Sequence, residues 1–419
     1  MLTKYWRLGV RFGTSAAAVT LVAAGMAVAP AGAVVPACGA TIVASIQLTG
    51  DMSCPGSALT VNAANVTIDL NGYKLVGPGP AVLPGPNQLT IAGVRVNNDH
   101  PGAVIKNGRI EGFQVGVSVF AGSHGAEMTG LTIVNNGTGI IISRTQAGAT
   151  ADNFFVHDNV VEASLGTGVS VLGNTHRFVN NQVINNGTAG FSINSNGSTF
   201  TRNLVAGNGV IGGVNNGVGI QLSGNGNTAL GNNVERNASS GLNVNGSNNV
   251  VTANVIGQNG GNGTNVGGPS TATVLANNRI ENNQYSGNGS PTNTFGALNV
   301  FSSSGTMITG NQVVGIRRAT GVFIAANNTG VVITNNQSSQ HNDGIIVVSG
   351  ATSTRIIGNL SNLNTDDGID VGAPGTLIQG NTANTNADGG FSVIAGVIDG
   401  GGNHAAGNAH FQCTAAIVC

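Results

Sequence analysis

Asp343-Gly344-Ile345 and Asp367-Gly368-Ile369 place a carboxylate two residues before an apolar residue, 24 positions apart. Aligned on that apolar residue, Asn342, Asp366 and Asp388 share the preceding position, and His341 and Arg318 share the one before it. Asp370 follows Ile369 and alternates with it, so it faces the opposite way. If successive segments stack as neighbours, Arg318, His341, Asp343, Asp366, Asp367, Asp370 and Asp388 form one surface patch. Carboxylates held that close repel one another, and the repulsion is relieved by a raised pKa, a cation or a basic neighbour. Two chemistries follow. Paired carboxyl groups can act as acid and base on a glycosidic bond. Alternatively, a cation or Arg318 neutralises an acidic substrate while His341 or an arginine removes a proton. Calcium is the cation that suits such an oxygen-rich set, although the residues do not by themselves name a metal. The same Asp and Asn residues before Gly are also ordinary turn formers.

The elements that would position this patch are written in a repeat. An Asn is followed, ten positions later, by an apolar residue that itself follows Gly. Asn107 leads to Gly116-Val117, Asn159 to Gly168-Val169, Asn181 to Gly190-Phe191 and Asn232 to Gly241-Leu242. Asn335 leads to Gly344-Ile345, Asn359 to Gly368-Ile369 and Asn381 to Gly390-Phe391. The period is about 22 to 24 residues, long enough for one coil of three short strands and three turns. The chain has 67 Gly and 56 Asn, the residues that tolerate tight and left-handed turns. Its hydrophobic content of 40% is enough to build a core. The pattern predicts an all-β fold: a single right-handed, three-sided parallel β-helix of about 12 coils. Equivalent asparagines would stack into ladders, so most of them carry no functional information.

The repeat resembles that of the pectate-lyase-like proteins and the periplasmic, copper-linked NosD family. The stretch Asn65-Val66-Thr67-Ile68-Asp69-Leu70-Asn71-Gly72 resembles the first coil of many exported members. The resemblance covers roughly residues 38 to 419. It implies a β-helix and, more loosely, a polysaccharide or cell-surface glycan as partner. Asn364-Thr365-Asp366 and Asp366-Asp367 resemble carboxylate motifs of polygalacturonase-type hydrolases, and Ser123-His124-Gly125 resembles their histidine motif. The order along the chain is reversed, so those roles do not transfer. There is no paired-arginine motif of the pectate-lyase kind, and no Met-rich or His-rich tract that would support copper delivery.

Residues 1–33 have the form of a secretory signal: Lys4, Arg7 and Arg11, an apolar stretch from Ala16 to Ala29, and Ala31-Gly32-Ala33 as cleavage site. Residues 34–60 are expected to cap the start, 61–402 to form the β-helix and 403–419 to cap the end. The four cysteines fall in two local pairs, Cys38 with Cys54 and Cys413 with Cys419, and export makes disulfide staples on the caps reasonable. Without the signal the chain keeps 12 Lys+Arg against 16 Asp+Glu, a net charge of −4. No basic stripe is present, which argues against nucleic acid, and no mature segment is apolar enough to insert in a membrane. A secreted monomer is expected.

Three coils carry insertions, between Ser143 and Asn153, Asn208 and Gly219, and Asn283 and Leu298. The last contains Tyr285, one of two tyrosines after the signal, and is a candidate substrate-binding loop together with Asp370 and Asp388. Two functions remain open: an extracellular lyase, hydrolase or epimerase of acidic polysaccharide, with Asp343, Asp366, Asp367, His341 and Arg318 as its catalytic set, or a non-catalytic glycan-binding or structural β-helix.

Overall fold

The computed structural model describes residues 32–80, 91–142, 151–209, 217–283, 296–317 and 319–419. The three insertions lie mostly outside these residues, as do Tyr285, Arg318 and nearly all of the signal-like segment. Among the described residues there are no helices, and every paired strand is parallel to its neighbour.

Each coil follows the alternation written in the sequence. In Phe191–Asn196 the residues Phe191, Ile193 and Ser195 point inward and are buried, while Ser192, Asn194 and Asn196 are not. Ile369 and Val371 are fully buried on either side of the half-buried Asp370, as the sequence predicts. The interior is a continuous column of Val, Ile, Leu and Phe. Phe178 and Phe200 stack face to face with centroids 5.0 Å apart, and Phe191 meets both edge-on.

A typical coil carries three strands, each paired with its counterpart one coil on: Val169–Asn174 with Phe191–Asn196, Arg177–Val179 with Thr199–Thr201, and Gln182–Ile184 with Leu204–Ala206. The first series forms a 16-stranded sheet. The other two merge into one 29-stranded sheet, because Val104–Glu111 and Glu127–Val134 run unbroken across both. Sixteen strands exceed the dozen coils suggested by the Asn-to-Gly spacing because several strands lack that motif, internal ones included: Gly130 stands ten residues before Ile140 and Gln312 ten before Val322. Ala40–Ile42 pairs with Leu59–Val61, and Phe411–Cys413 with Gly389–Val393, so the stretches expected to cap the solenoid are themselves coiled. Both predicted disulfides form, Cys38–Cys54 and Cys413–Cys419. No helix among the described residues is long and apolar enough to cross a membrane.

Buried asparagines hold the corners. One ladder runs through Asn159, Asn181, Asn203, Asn232, Asn254, Asn278, Asn311, Asn336, Asn359, Asn381 and Asn403. At each rung the backbone N–H and the side-chain amide donate to the Oδ1 of the next asparagine, as Asn232 does to Asn254. The amide also donates to a carbonyl of the preceding coil, which removes an otherwise unsatisfied buried group. Asn107 is not part of this row. It is exposed, with a φ of 60°, and Gly108 and Leu131 occupy the row instead. A second ladder runs through Asn186, Asn208, Asn237, Asn259 and Asn283, and recurs as Asn364, Asn386 and Asn408.

Candidate functional site

The predicted acidic patch exists, on the outer side of the 16-stranded sheet near its C-terminal end. Carboxylate oxygens of Asp343, Asp366 and Asp367 all lie within 4.8 Å of one another. Asp343 and Asp367 are 7% and 9% exposed, while Asp366 and Asp370 are half-buried. Asp370 sits between Ile346 and Ser392 in register.

The two buried aspartates are anchored along the stack. Asp343 Oδ1 accepts the backbone N–H of Asp367, and Asp367 Oδ1 accepts that of Gly389. Asn342 Nδ2 donates to Asp343 Oδ2 at 2.9 Å. Burial nevertheless dominates and pushes the Asp343 carboxyl up to about 6, with Asp366 and Asp367 adding repulsion. Burial also pushes Asp370 up to about 6, reinforced by Asp343, Asp367 and Asp366. Asp367 shifts in the same direction for the same reason. Asp388 stands at the margin, where its Oδ1 pairs with His410 Nδ1 at 2.5 Å. Three carboxylates within 4.8 Å fit a hard cation such as calcium, although two of their oxygens are already engaged by backbone N–H groups.

His341 is not on this surface. It is 1% exposed, and neither ring nitrogen has a hydrogen bond of good geometry. The carbonyls of Val313 and Ala319 favour its charged form slightly, but burial outweighs them and lowers its pKa to about 4. Its backbone N–H donates to Asn364 Oδ1, as that of Asn364 does to Asn386. His341 therefore occupies an asparagine-ladder position. The cause is a turn one residue shorter: four positions separate His341 from Ile345, against five between Asn364 and Ile369. Counting back from the apolar residue puts His341 level with the exposed Thr365, whereas hydrogen bonding puts it level with the buried Asn364. Its ring lies against Gly321, where an added Cβ would come within 2.9 Å of Cδ2. Of the predicted set, the fold thus brings Asp343, Asp366, Asp367 and Asp370 together, with Asp388 at the edge, and removes His341. Arg318 and Tyr285 lie outside the described residues.

A second constellation lies outside the residues singled out from the sequence. On the 29-stranded sheet, Glu127, Phe155 and Arg177 are in register, and Thr129 and His157 form the adjoining outward row. His157 Nδ1 lies 2.7 Å from Asp158 Oδ2, and its Nε2 lies 3.1 Å from Glu127 Oε1. The available signal was Phe155 and His157 at alternate positions of one strand, with Arg177 22 residues after Phe155 on the next. The distance from Glu127 to Phe155 departs from that period, so spacing alone did not align them.

Comparison with known proteins supports the fold. Residues 148–313 match the family model described as right handed beta helix region. No curated protein matches the sequence. The A-module of a mannuronan C-5 epimerase from Azotobacter vinelandii superposes with a TM-score of 0.50 at 14% identity, covering 89% of this chain and 91% of that one. The pre-mature gene product 12 of bacteriophage phi29 superposes with a TM-score of 0.50 at 12% identity, covering 81% of this chain and 51% of that one. With the parallel stacking of the strands, these likenesses show a right-handed parallel β-helix fold.

Proposed function

We propose that the protein is exported and processes polysaccharide by acid–base chemistry at the Asp343–Asp370 patch. The observation that carries this reading is the grouping of Asp343, Asp366 and Asp367 within 4.8 Å, beside an Asp370 whose carboxyl, like that of Asp343, is raised to about 6. Near that pH one carboxyl is protonated while a neighbour is ionised, the division of labour that glycoside cleavage requires. Hydrolysis fits the described residues better than elimination or epimerisation, because His341 is buried away from the patch as a base. An acidic polysaccharide would enter this carboxylate-rich site with a cation such as calcium, which would screen both sides. The signal-like N-terminus and the two disulfides favour an extracellular location. The likeness to a mannuronan epimerase is consistent with a glycan partner.

The test is turnover. The mature protein is incubated with polyuronides and neutral glycans, with calcium and with chelator, while reducing ends and unsaturated uronates are followed together. Activity that falls at least about a hundredfold in Asp343→Asn and Asp370→Asn supports the reading, in line with the usual weight of a general acid or base. Activity indifferent to both would falsify it. A second reading, a non-catalytic glycan-binding or structural β-helix, is favoured by one feature: Asp343 and Asp367 spend an oxygen on backbone N–H groups much as the ladder asparagines do. It predicts no product from any glycan.

A further inference from the structure

The Glu127–Phe155–His157–Arg177 group lies seven to eight coils from the acidic patch and on the other sheet, roughly 35 Å away at the usual strand spacing. It is a stack. The His157 ring lies on that of Phe155, with centroids 4.0 Å apart and planes 22° from parallel. The Arg177 guanidinium lies over the same Phe155 ring, 4.5 Å from its centroid. The inward residues of these strands, Met128, Val156 and Phe178, are fully or almost fully buried, so the outward row stands on a firm base. His157 is fixed from both sides by Glu127 and Asp158, and its hydrogen bond holds the Asp158 carboxyl below its usual range. Arg177 is exposed, and among the described residues no carboxylate pairs with it.

We infer that this stack binds the carboxylate of an acidic saccharide, with Arg177 as the anchor. A guanidinium seated on an aromatic face keeps its in-plane N–H donors free, and their fork matches a carboxylate through two parallel hydrogen bonds. Seating on Phe155 also restricts the side chain beforehand, so less freedom is lost when the ligand arrives. The neighbouring carboxylates set the selectivity. Glu127 directs one oxygen to His157 and retains the other to accept a sugar hydroxyl, while Asp158 is held by His157 and by the Asn180 amide. Their charge disfavours a second anion close by. One carboxylate flanked by hydroxyls is the pattern of a uronate residue, not of a dense polyanion. The site stands independently of any chemistry at Asp343.

The experiment is calorimetric titration of the mature protein, at low ionic strength, with trigalacturonate, neutral galactotriose and a sulfated galactotriose. Trigalacturonate is expected to bind and the neutral trimer not to. Arg177→Gln should weaken binding by about tenfold or more, the scale of a lost charge-assisted pair. Arg177→Lys should recover part of it. Arg355→Gln, at an exposed arginine of a distant coil, should bind as the wild type does, which ties binding to Arg177 and not to overall charge. Equal melting temperatures for the wild type and both Arg177 variants secure the fold. The inference is overturned if trigalacturonate does not bind, if Arg177→Gln binds it undiminished, or if the neutral trimer binds as tightly. Binding of the sulfated trimer alone would overturn the assignment to a carboxylate.

Discussion

Asp343 and Asp367, equivalent residues of successive coils, are joined directly: the Oδ1 of the first accepts the backbone N–H of the second at 3.2 Å. The same bond passes on from Asp367 to Gly389 at 2.8 Å. A short side chain one coil away thus satisfies a backbone donor, as in the asparagine ladders, but with a charge added. The patch is at once a structural rung and a store of carboxyl groups with raised pKa.

That charge gives a pH signature. Asp343 and Asp370 hold their protons up to about pH 6 in the folded chain, against 3.8 ordinarily. The folded state binds the extra protons in that window, so their contribution to stability falls as pH rises from 3.8 through about 6. His176 and His341 act in reverse. Burial lowers both to about 4 from 6.5, so their contribution rises between those values. The opposed pairs partly cancel in the wild type. The double variant Asp343→Asn/Asp370→Asn leaves only Asp367 to oppose the histidine contribution and should lose thermal stability more steeply as pH falls from 6.5 to 4. Melting temperatures across that range, with chelator present, decide it; a wild-type profile in the double variant refutes the assignment.

Asn254→Ala removes one rung of the long ladder. It leaves the backbone N–H and amide of Asn232 without their acceptor, and the carbonyl of Ala229 without its donor. Stranding that many buried groups should cost about 3 kcal/mol, well above the effect of an exposed asparagine such as Asn107. Urea unfolding of Asn254→Ala and Asn107→Ala gives the comparison.

Gly241 is required by close approach. An added Cβ would lie 2.6 Å from Ile256 Cγ2, 2.7 Å from Asn259 Nδ2 and 2.8 Å from the carbonyl oxygen of Gly263. Gly241→Ala should therefore destabilise by about 3 kcal/mol through overpacking. Gly375→Ala meets nothing within 4 Å but sits at a φ of 77°, so its smaller cost is backbone strain alone. A cost for Gly241→Ala no larger than that of Gly375→Ala would contradict the packing account.

Cys38 and Cys54 are 16 residues apart and close the first described coil. Replacing both with serine should cost about 3 kcal/mol, the value for a loop of that length. Protection of the first coils against hydrogen exchange should fall, while the Phe178–Phe200 region stays protected, because a solenoid loosens from its ends. Uniform loss along the chain would show a more cooperative molecule than coil-by-coil stacking implies.

The sequence alone determined the β-helix, its period, the inward residues and the two disulfides. These follow from local rules that repeat: alternation of apolar residues, Gly where the backbone comes close, and Asn where a buried corner needs both donor and acceptor. It also placed Asp343, Asp366 and Asp367 together, because equal offsets in adjacent coils become neighbours once the coils stack. Tertiary structure decided what offsets cannot. His341 lies in the interior because one turn is a residue shorter, and a one-residue shift at a corner exchanges an outward position for a buried ladder position. Glu127 meets His157 across coils of unequal length, where only backbone pairing sets which side chains face each other.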